Sequence, residues 1–263
     1  MTAYRAVLTG ASGGIGRAIA AALAPHCEDL LLVGRDAARL AQTAAGAGPV
    51  VRTLQADLAT SAGCASVAQH VRNPNLLINN AGASDFAWLA EQSDAVLARI
   101  VQANVLAPMQ LTRRLLPLLE SAPEAWIVNI GSIFGYLGYP GQAAYCASKF
   151  ALRGFSEALR RELADGPVRV LHFAPRATRT PMNGAQLCAL NDELGVAMDE
   201  PASVAQALMR LLRRPAPERL LGMPERLFAR LNQLLPGLVD VALRRHLPTI
   251  RRHAPAPSKE HSS

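Results

Sequence analysis

Aromatic residues are scarce. Phe, Trp and Tyr make up 5% of the 263 residues, so the core must be aliphatic. Long apolar runs are absent as well, and none reaches the roughly 18 residues that spanning a bilayer takes. The opening MTAYRAVLTG has no basic segment ahead of an apolar run, so no signal peptide is expected. The four cysteines, Cys27, Cys64, Cys146 and Cys188, lie far apart without a Cys-x-x-Cys pair. A disulfide scaffold or a metal cluster is therefore not expected. Charged residues are only 18% against 50% hydrophobic ones, which excludes global disorder. Lysine is nearly missing: Lys149 and Lys259 are the only two among 27 basic residues. Arginine cannot replace a compact ammonium, so an internal lysine in an arginine-using chain suggests a chemical reason. These absences point to a cytoplasmic enzyme without a metal.

What charge there is lies unevenly. The net charge is +7, and Arg210–His253 alone carries ten arginines against Glu218, Glu225 and Asp240, again +7. Basic chains invite a nucleic-acid reading. Here the excess belongs to one C-terminal segment whose only aromatic residue is Phe228, so no base-stacking platform exists and no nucleic acid is expected.

Short apolar runs bounded by turn residues alternate with helical patterns. Strands are expected at Ala6–Thr9, Leu30–Val33, Val50–Gln55, Leu76–Asn79, Trp126–Ile130 and Val168–Phe173, with a short last one near Leu220–Met223. Helices are expected at Gly14–Leu23, Ala37–Ala45, Asp94–Leu119 with a kink at Pro108, Gln142–Leu163 and Pro201–Leu212. The strands show little polar alternation, so both sheet faces should be covered. The expected fold is α/β, a doubly wound parallel sheet of Rossmann type over residues 1–222. A basic amphipathic helical extension of the same domain follows at 223–253, and a disordered tail at 254–263.

Two constellations carry chemistry. Thr9-Gly10-Ala11-Ser12-Gly13-Gly14-Ile15-Gly16 joins the first strand to the first helix. Glycines there allow a tight turn and a close approach, and the helix N-terminus can hold a pyrophosphate. The second is Ser132, Tyr145 and Lys149. Tyr145 and Lys149, four apart, share a helix face. A free tyrosine titrates near 10, too high for efficient proton transfer at neutrality, and a nearby ammonium should lower it. Ser132 follows a strand end, where ligands bind in open α/β sheets, and can hold a substrate carbonyl against the tyrosine.

Together these motifs resemble the short-chain dehydrogenase/reductase family, from about Tyr4 to at least Leu212. The resemblance includes Asn79-Asn80-Ala81-Gly82, Asn104 and the thirteen-residue step from Ser132 to Tyr145. It implies a catalytic tetrad of Asn104, Ser132, Tyr145 and Lys149. Tyr145 would exchange a proton with the carbonyl oxygen, Lys149 would also hold the nicotinamide ribose, and Asn104 would support a water relay. The implied cofactor contacts are Gly10, Ser12, Gly13, Gly14, Ile15 and Gly16 at the turn, Asp57 and Leu58 at the adenine, and Asn80, Ala81 and Gly82 at the adenosine side. Pro175 and a following threonine would meet the nicotinamide, either Thr178 or Thr180.

At Val33-Gly34-Arg35 the strand ends without the carboxylate of NAD-preferring relatives. Arg35 can pair with a 2′-phosphate, so NADP is expected, with Asp36 as a helix N-cap. Arg176 replaces the family's glycine; it and Arg179 could meet a cofactor phosphate, an acidic substrate or solvent. Pro181–Glu200 is expected to form a lid. Leu227, Phe228, Leu231, Leu234 and Leu235 form one apolar stripe, and Leu238, Val239, Ala242 and Leu243 a second. Packing of these stripes on the domain is the favoured reading. A weak contact of the arginines with a membrane surface or an acidic carrier is the secondary one, and would make the protein peripheral to the membrane. The overall expectation is an NADP-dependent homo-oligomeric oxidoreductase, a dimer or tetramer, that acts on a small carbonyl or alcohol substrate, including ketoacyl or lipid-like ones. The alternative is a non-catalytic NADP-binding sensor or scaffold.

Overall fold

A computed structural model describes residues 3–254. Its strands are β1 (Tyr4–Thr9), β2 (Cys27–Gly34), β3 (Val51–Gln55), β4 (Leu76–Asn79), β5 (Ala125–Ile130), β6 (Val168–Ala174) and β7 (Glu218–Leu220). They pair in parallel in the order β3-β2-β1-β4-β5-β6-β7. Successive side chains of a strand point to opposite faces. Leu30 and Leu32 accordingly enter one core with Leu8, Ile19 and Phe173, while Leu31 and Val33 enter the other with Leu77, Leu111 and Ile127. Both faces being buried explains why these strands read as continuous apolar runs.

The helices are α1 (Gly14–Leu23), α2 (Ala37–Ala45), α3 (Ser61–His70), α4 (Asp94–Val101), α5 (Ala107–Glu120), α6 (Ala143–Glu162), α7 (Ala185–Glu193), α8 (Pro201–Arg213), α9 (Met223–Leu234) and α10 (Pro236–His253). The fold is a doubly wound parallel α/β sheet. The chain reverses its winding between β1 and β4, which opens a crevice at the carboxyl ends of these strands.

Several expectations need correction. The single helix over Asp94–Leu119 is three pieces: α4, a π-turn at Gln102–Leu106, and α5. Pro108 is the cause, by a route other than a kink. It has no N–H to donate to the carbonyl of Asn104 four residues earlier, so the turn widens and Ala107 bonds Gln102 instead. The last strand lies at Glu218–Leu220 rather than Leu220–Met223, because Gly222 adopts φ +84° and turns the chain into α9. Helix α3 was not foreseen. Its Ser-Ala-Gly-Cys-Ala sequence has little apolar periodicity, and the Thr60 cap on Gly63 N–H is its main local signal. Ala254, placed in the tail, is buried at the end of α10, and the remainder of that tail lies outside the described residues.

The apolar stripes of the C-terminal helices pack inward only in part: Val239 is buried, Leu231, Ala242 and Leu243 are half-buried, and Ala242 and Leu243 line an apolar cavity. Leu227, Phe228, Leu234, Leu235 and Leu238 are exposed, while burial runs through Ala229, Val239 and Ile250. Helix α9 turns its Glu225–Ala229–Asn232 face to the domain, because Glu225 pairs with Arg176 and Asn232 donates to the Tyr136 carbonyl at 2.9 Å. Ile250 of α10 packs on Leu187 and Leu190 of α7.

Candidate active site

Two cavities meet at the carboxyl ends of the strands. One, of about 440 Å³, collects the turn after β1, Arg35 after β2, Asp57 and Leu58 after β3, and Asn80–Gly82 after β4. The other, of about 450 Å³ and mostly apolar, lies under α7, α9 and α10. Tyr145, Gly131 and Thr180 line both.

The glycine turn is shaped for close approach. Gly10 sits at φ +63°, and a Cβ there would come within 2.7 Å of the Ala81 Cα. A Cβ on Gly16 would lie 2.1 Å from the Gly10 carbonyl oxygen. Helix α1 starts at Gly13 without a side-chain cap and without an acidic residue in its first turn, so its leading N–H groups remain available to an anion. Asn80 fastens this turn to β4: its side chain donates to the carbonyls of Thr9 at 3.0 Å and Gly10 at 3.1 Å, and its N–H to Thr9 Oγ1 at 2.9 Å.

At the far end of this cavity Arg35 is joined by Arg39 and Arg99, neither foreseen from sequence. Arg39 is one turn along α2 from Arg35, a spacing that could have signalled it. Asp36 does not oppose them as a free charge: its carboxylate accepts the Arg39 N–H at 3.0 Å as the N-cap of α2. Asp57 faces the cavity and accepts the Ala59 N–H at 3.0 Å.

The residues of the second constellation are brought together. Ser132 caps the short turn Ile133–Gly135, and its Oγ accepts the Phe134 N–H at 3.2 Å. Tyr145 and Lys149 project from one face of α6, with Nζ 5.6 Å from the phenol ring centroid. Lys149 is buried and donates to the Ile130 carbonyl at 3.0 Å. Burial lowers its pKa to about 8. The Tyr145 phenol, by contrast, is pushed up to about 12 by burial, with a hydrogen bond from Ser132 offsetting part of the rise. The expectation that the lysine would lower it is thus not met in the protein alone: desolvation of the phenolate outweighs an ammonium that is itself desolvated.

Asn104 lines neither cavity. Its Oδ1 accepts the Ala83 N–H at 2.7 Å, and its Nδ2 donates to the Ala83 carbonyl at 2.8 Å and to Ser148 Oγ at 2.9 Å. The side chain is fully committed to holding the loop after β4 against α6. The two threonines separate as well. Thr178 spends its hydroxyl on the Arg176 carbonyl at 2.9 Å and, like Pro175, lines only the apolar cavity. Thr180 packs against Gly14 at the mouth of α1 and lines both cavities.

Arg176 and Arg179 have partners of their own. Arg176 donates to Asp199 at 3.0 and 2.8 Å and to Glu225 at 3.3 Å, tying the β6 loop to the start of α9, and Arg179 pairs with Glu200 at 3.4 Å. Helix α7 is joined to the end of α10, where Glu193 pairs with Arg252 and with His253 at 2.6 Å, and these hydrogen bonds, His253 first, lower its pKa. Truncating Arg176 to alanine strands two carboxylates. It is expected to lower stability by about 1.5 kcal/mol, as for hydrogen bonds to charged groups, and to raise KM with little change in kcat. Urea melts and steady-state kinetics on Arg176→Ala check this.

Among the described residues there is no cluster of three His, Cys, Asp or Glu side chains able to hold a metal, and no helix long and apolar enough to cross a membrane. Comparison with known proteins adds to this geometry. The family model described as short chain dehydrogenase matches residues 5–189. A protein named ketoacyl reductase HetN, from a Nostoc species, is 30% identical over 91% of this chain and 88% of its own. A short-chain dehydrogenase from Sphingobium yanoikuyae, solved in complex with NADPH, superposes with a TM-score of 0.76 at 30% identity, covering 89% of this chain and 94% of that one. One from Burkholderia phymatum in complex with NAD reaches 0.76 at 23% identity, over 99% and 98%.

Proposed function

From the premise that this chain belongs to the short-chain dehydrogenase family, and is thus an oxidoreductase of that family, we propose that it reduces an apolar ketone or aldehyde with NADPH, or oxidises the matching alcohol. The observation that carries the reading is the convergence of a dinucleotide-sized cavity and an apolar cavity on the Tyr145 phenol. The residues present fit the cofactor. At Gly10, Gly14 and Gly16 the turn leaves no room for a Cβ, and the uncapped α1 start faces the cavity. When bound, the nicotinamide supplies or accepts the hydride at the carbonyl carbon.

The chain's own residues do the rest. Ser132 would donate a hydrogen bond to the carbonyl oxygen and hold it at Tyr145. The phenol, protonated at neutral pH, would give that oxygen its proton as the C–O double bond is reduced. Lys149 would hold the ribose and pass a proton toward Tyr145. Asn104 would contribute through its main chain: its side chain is spent, whereas Pro108 takes the usual helical donor away from its carbonyl, which would then hold a water. Thr180, rather than Thr178, fits the nicotinamide end.

The preference for NADPH rests on Arg35 and Arg39, which present two guanidinium groups with the Asp36 carboxylate turned into a cap. The fold alone does not decide it, since a neighbour of the same fold holds NAD. Arg35→Ala is expected to cost about 1–3 kcal/mol with NADPH, roughly a tenfold to hundredfold loss of kcat/KM, and little with NADH. Equal loss with both cofactors would assign Arg35 a merely structural role.

The substrate class follows from the mostly apolar lining of the second cavity. The ketoacyl reductase relative makes 3-oxoacyl thioesters the first compounds to try. NADPH oxidation is measured with medium-chain ketones, quinones and 3-oxoacyl thioesters beside short polar ketones. Turnover that rises with apolar chain length is expected, and turnover confined to the short polar ketones would overturn the assignment.

A further inference from the structure

We propose that the junction of α9 and α10 docks on an anionic lipid bilayer, with an apolar tip entering the headgroup layer and arginines behind it. Leu234 is 79% exposed, Leu238 59%, and Leu235 and Val241 53% each. Met223 and Leu227 extend the same outward face of α9 at 73% and 69%. None of them lines either of the two cavities at the strand ends, and apolar exposure of this kind on a helix pair marks a binding surface. Arg230 lies one turn before Leu234 on that face, and Arg244 and Arg245 lie about two turns after Leu238 on the outward side of α10. At 1.5 Å per residue the arginines sit about 6–10 Å behind the tip, the depth to which interfacial helices bury their apolar face.

Charge selects the occupant. Helices α9 and α10 carry six arginines against Glu225 and Asp240, so an isologous contact with a second copy would set the two arginine sets against each other. A homo-oligomer of this chain therefore uses another face. An acidic protein would satisfy the arginines but would need a groove for the protruding leucines, whereas a bilayer accepts them without one. The inner faces of the same two helices, through Phe228, Leu243 and His246, roof the apolar cavity. Docking would thus bring a membrane-dissolved substrate to its site. That last step rests on the reductase reading, but the docking itself is read without catalysis.

The test is co-sedimentation of the full chain with vesicles of phosphatidylcholine containing about one third phosphatidylglycerol, and with phosphatidylcholine alone. Binding to the anionic vesicles is expected at ~0.1 M salt, with at least a tenfold fall at ~1 M, where the Debye length shrinks from roughly 10 to 3 Å. Combining Arg230→Glu, Arg244→Glu and Arg245→Glu should weaken binding at least about hundredfold, since each cation near such a surface is worth about fivefold. Leu234→Glu with Leu238→Glu should also abolish it, with the melting temperature and NADPH binding unchanged in both variants. Equal binding to neutral vesicles, no binding at all, or binding indifferent to both variants would overturn the proposal. So would a leucine variant that splits an oligomer and leaves vesicle binding untouched.

Discussion

Replacing Tyr145 by phenylalanine is expected to lower kcat by about 10²–10⁴-fold while NADPH binding stays within a factor of a few. The substitution keeps the ring, its edge-on contact with Phe134 and the cavity wall, and removes one transferable proton. With the phenol pushed up to about 12, the group is a proton donor across the whole working range, which suits carbonyl reduction. Alcohol oxidation needs the phenolate, so its rate in the parent should climb with pH well above neutrality. Lys149 bears on both, and Lys149→Ala should damage binding and turnover together, since Nζ is buried between the Tyr145 ring and the Ile130 carbonyl. Measured kcat and NADPH fluorescence titrations on Tyr145→Phe separate the two effects. Retention of more than about a tenth of the parent kcat would remove Tyr145 from the proton-transfer role.

How much of this was legible in the sequence depends on whether a local pattern decides the outcome. The sheet was legible because a strand buried on both faces must be apolar at every position, as Leu30–Val33 and Leu76–Ile78 are. The grouping of Ser132, Tyr145 and Lys149 was legible because helix periodicity alone brings the last two together, and a strand end places the first. Where tertiary partners decide, the pattern was silent or misleading. The leucines of α9 and α10 have helical spacing, but spacing does not say which face turns inward. That choice belongs to the Arg176–Glu225 and Asn232–Tyr136 contacts, whose partners lie far off in sequence. The roles of Thr178 and Thr180 likewise separate only when the Arg176 carbonyl claims one hydroxyl. The π-turn was half legible: Pro108 marked the disturbance, but not that the turn widens with Asn104 at its centre.

A buried polar chain beneath the site leads to the second large effect, the loss of stability in mild acid through His172. Asn79 donates to Thr112 Oγ1 at 3.2 Å and to Asn129 Oδ1 at 2.8 Å, and Asn129 donates to Ser156 Oγ at 2.9 Å. Ser156 gives its only proton to the Leu152 carbonyl at 2.7 Å, so its contact with His172 Nδ1 at 3.3 Å is one it accepts. That fixes the neutral imidazole with its proton on Nδ1. Nε2 is left buried beside Gly131, where a Cβ would stand 2.3 Å away, and has no partner among the described residues. Charging the ring means placing a second N–H there, and burial, with Lys149, Arg153 and Arg160 nearby, lowers its pKa to about 3. The folded state therefore refuses a proton that the unfolded chain takes up below about 6.5, and stability falls as pH falls from there toward about 3. At roughly 1.4 kcal/mol per pH unit, this one group should remove about 2–3 kcal/mol between about pH 7.5 and about pH 4.5. In His172→Asn the side chain can still donate to Ser156 but cannot titrate, so that share of the acid sensitivity should vanish whatever the variant's stability at neutral pH. Urea melts of parent and variant at the two pH values measure the difference directly. An unchanged pH dependence would mean that His172 is already protonated, or already relieved of its cost, in the folded protein.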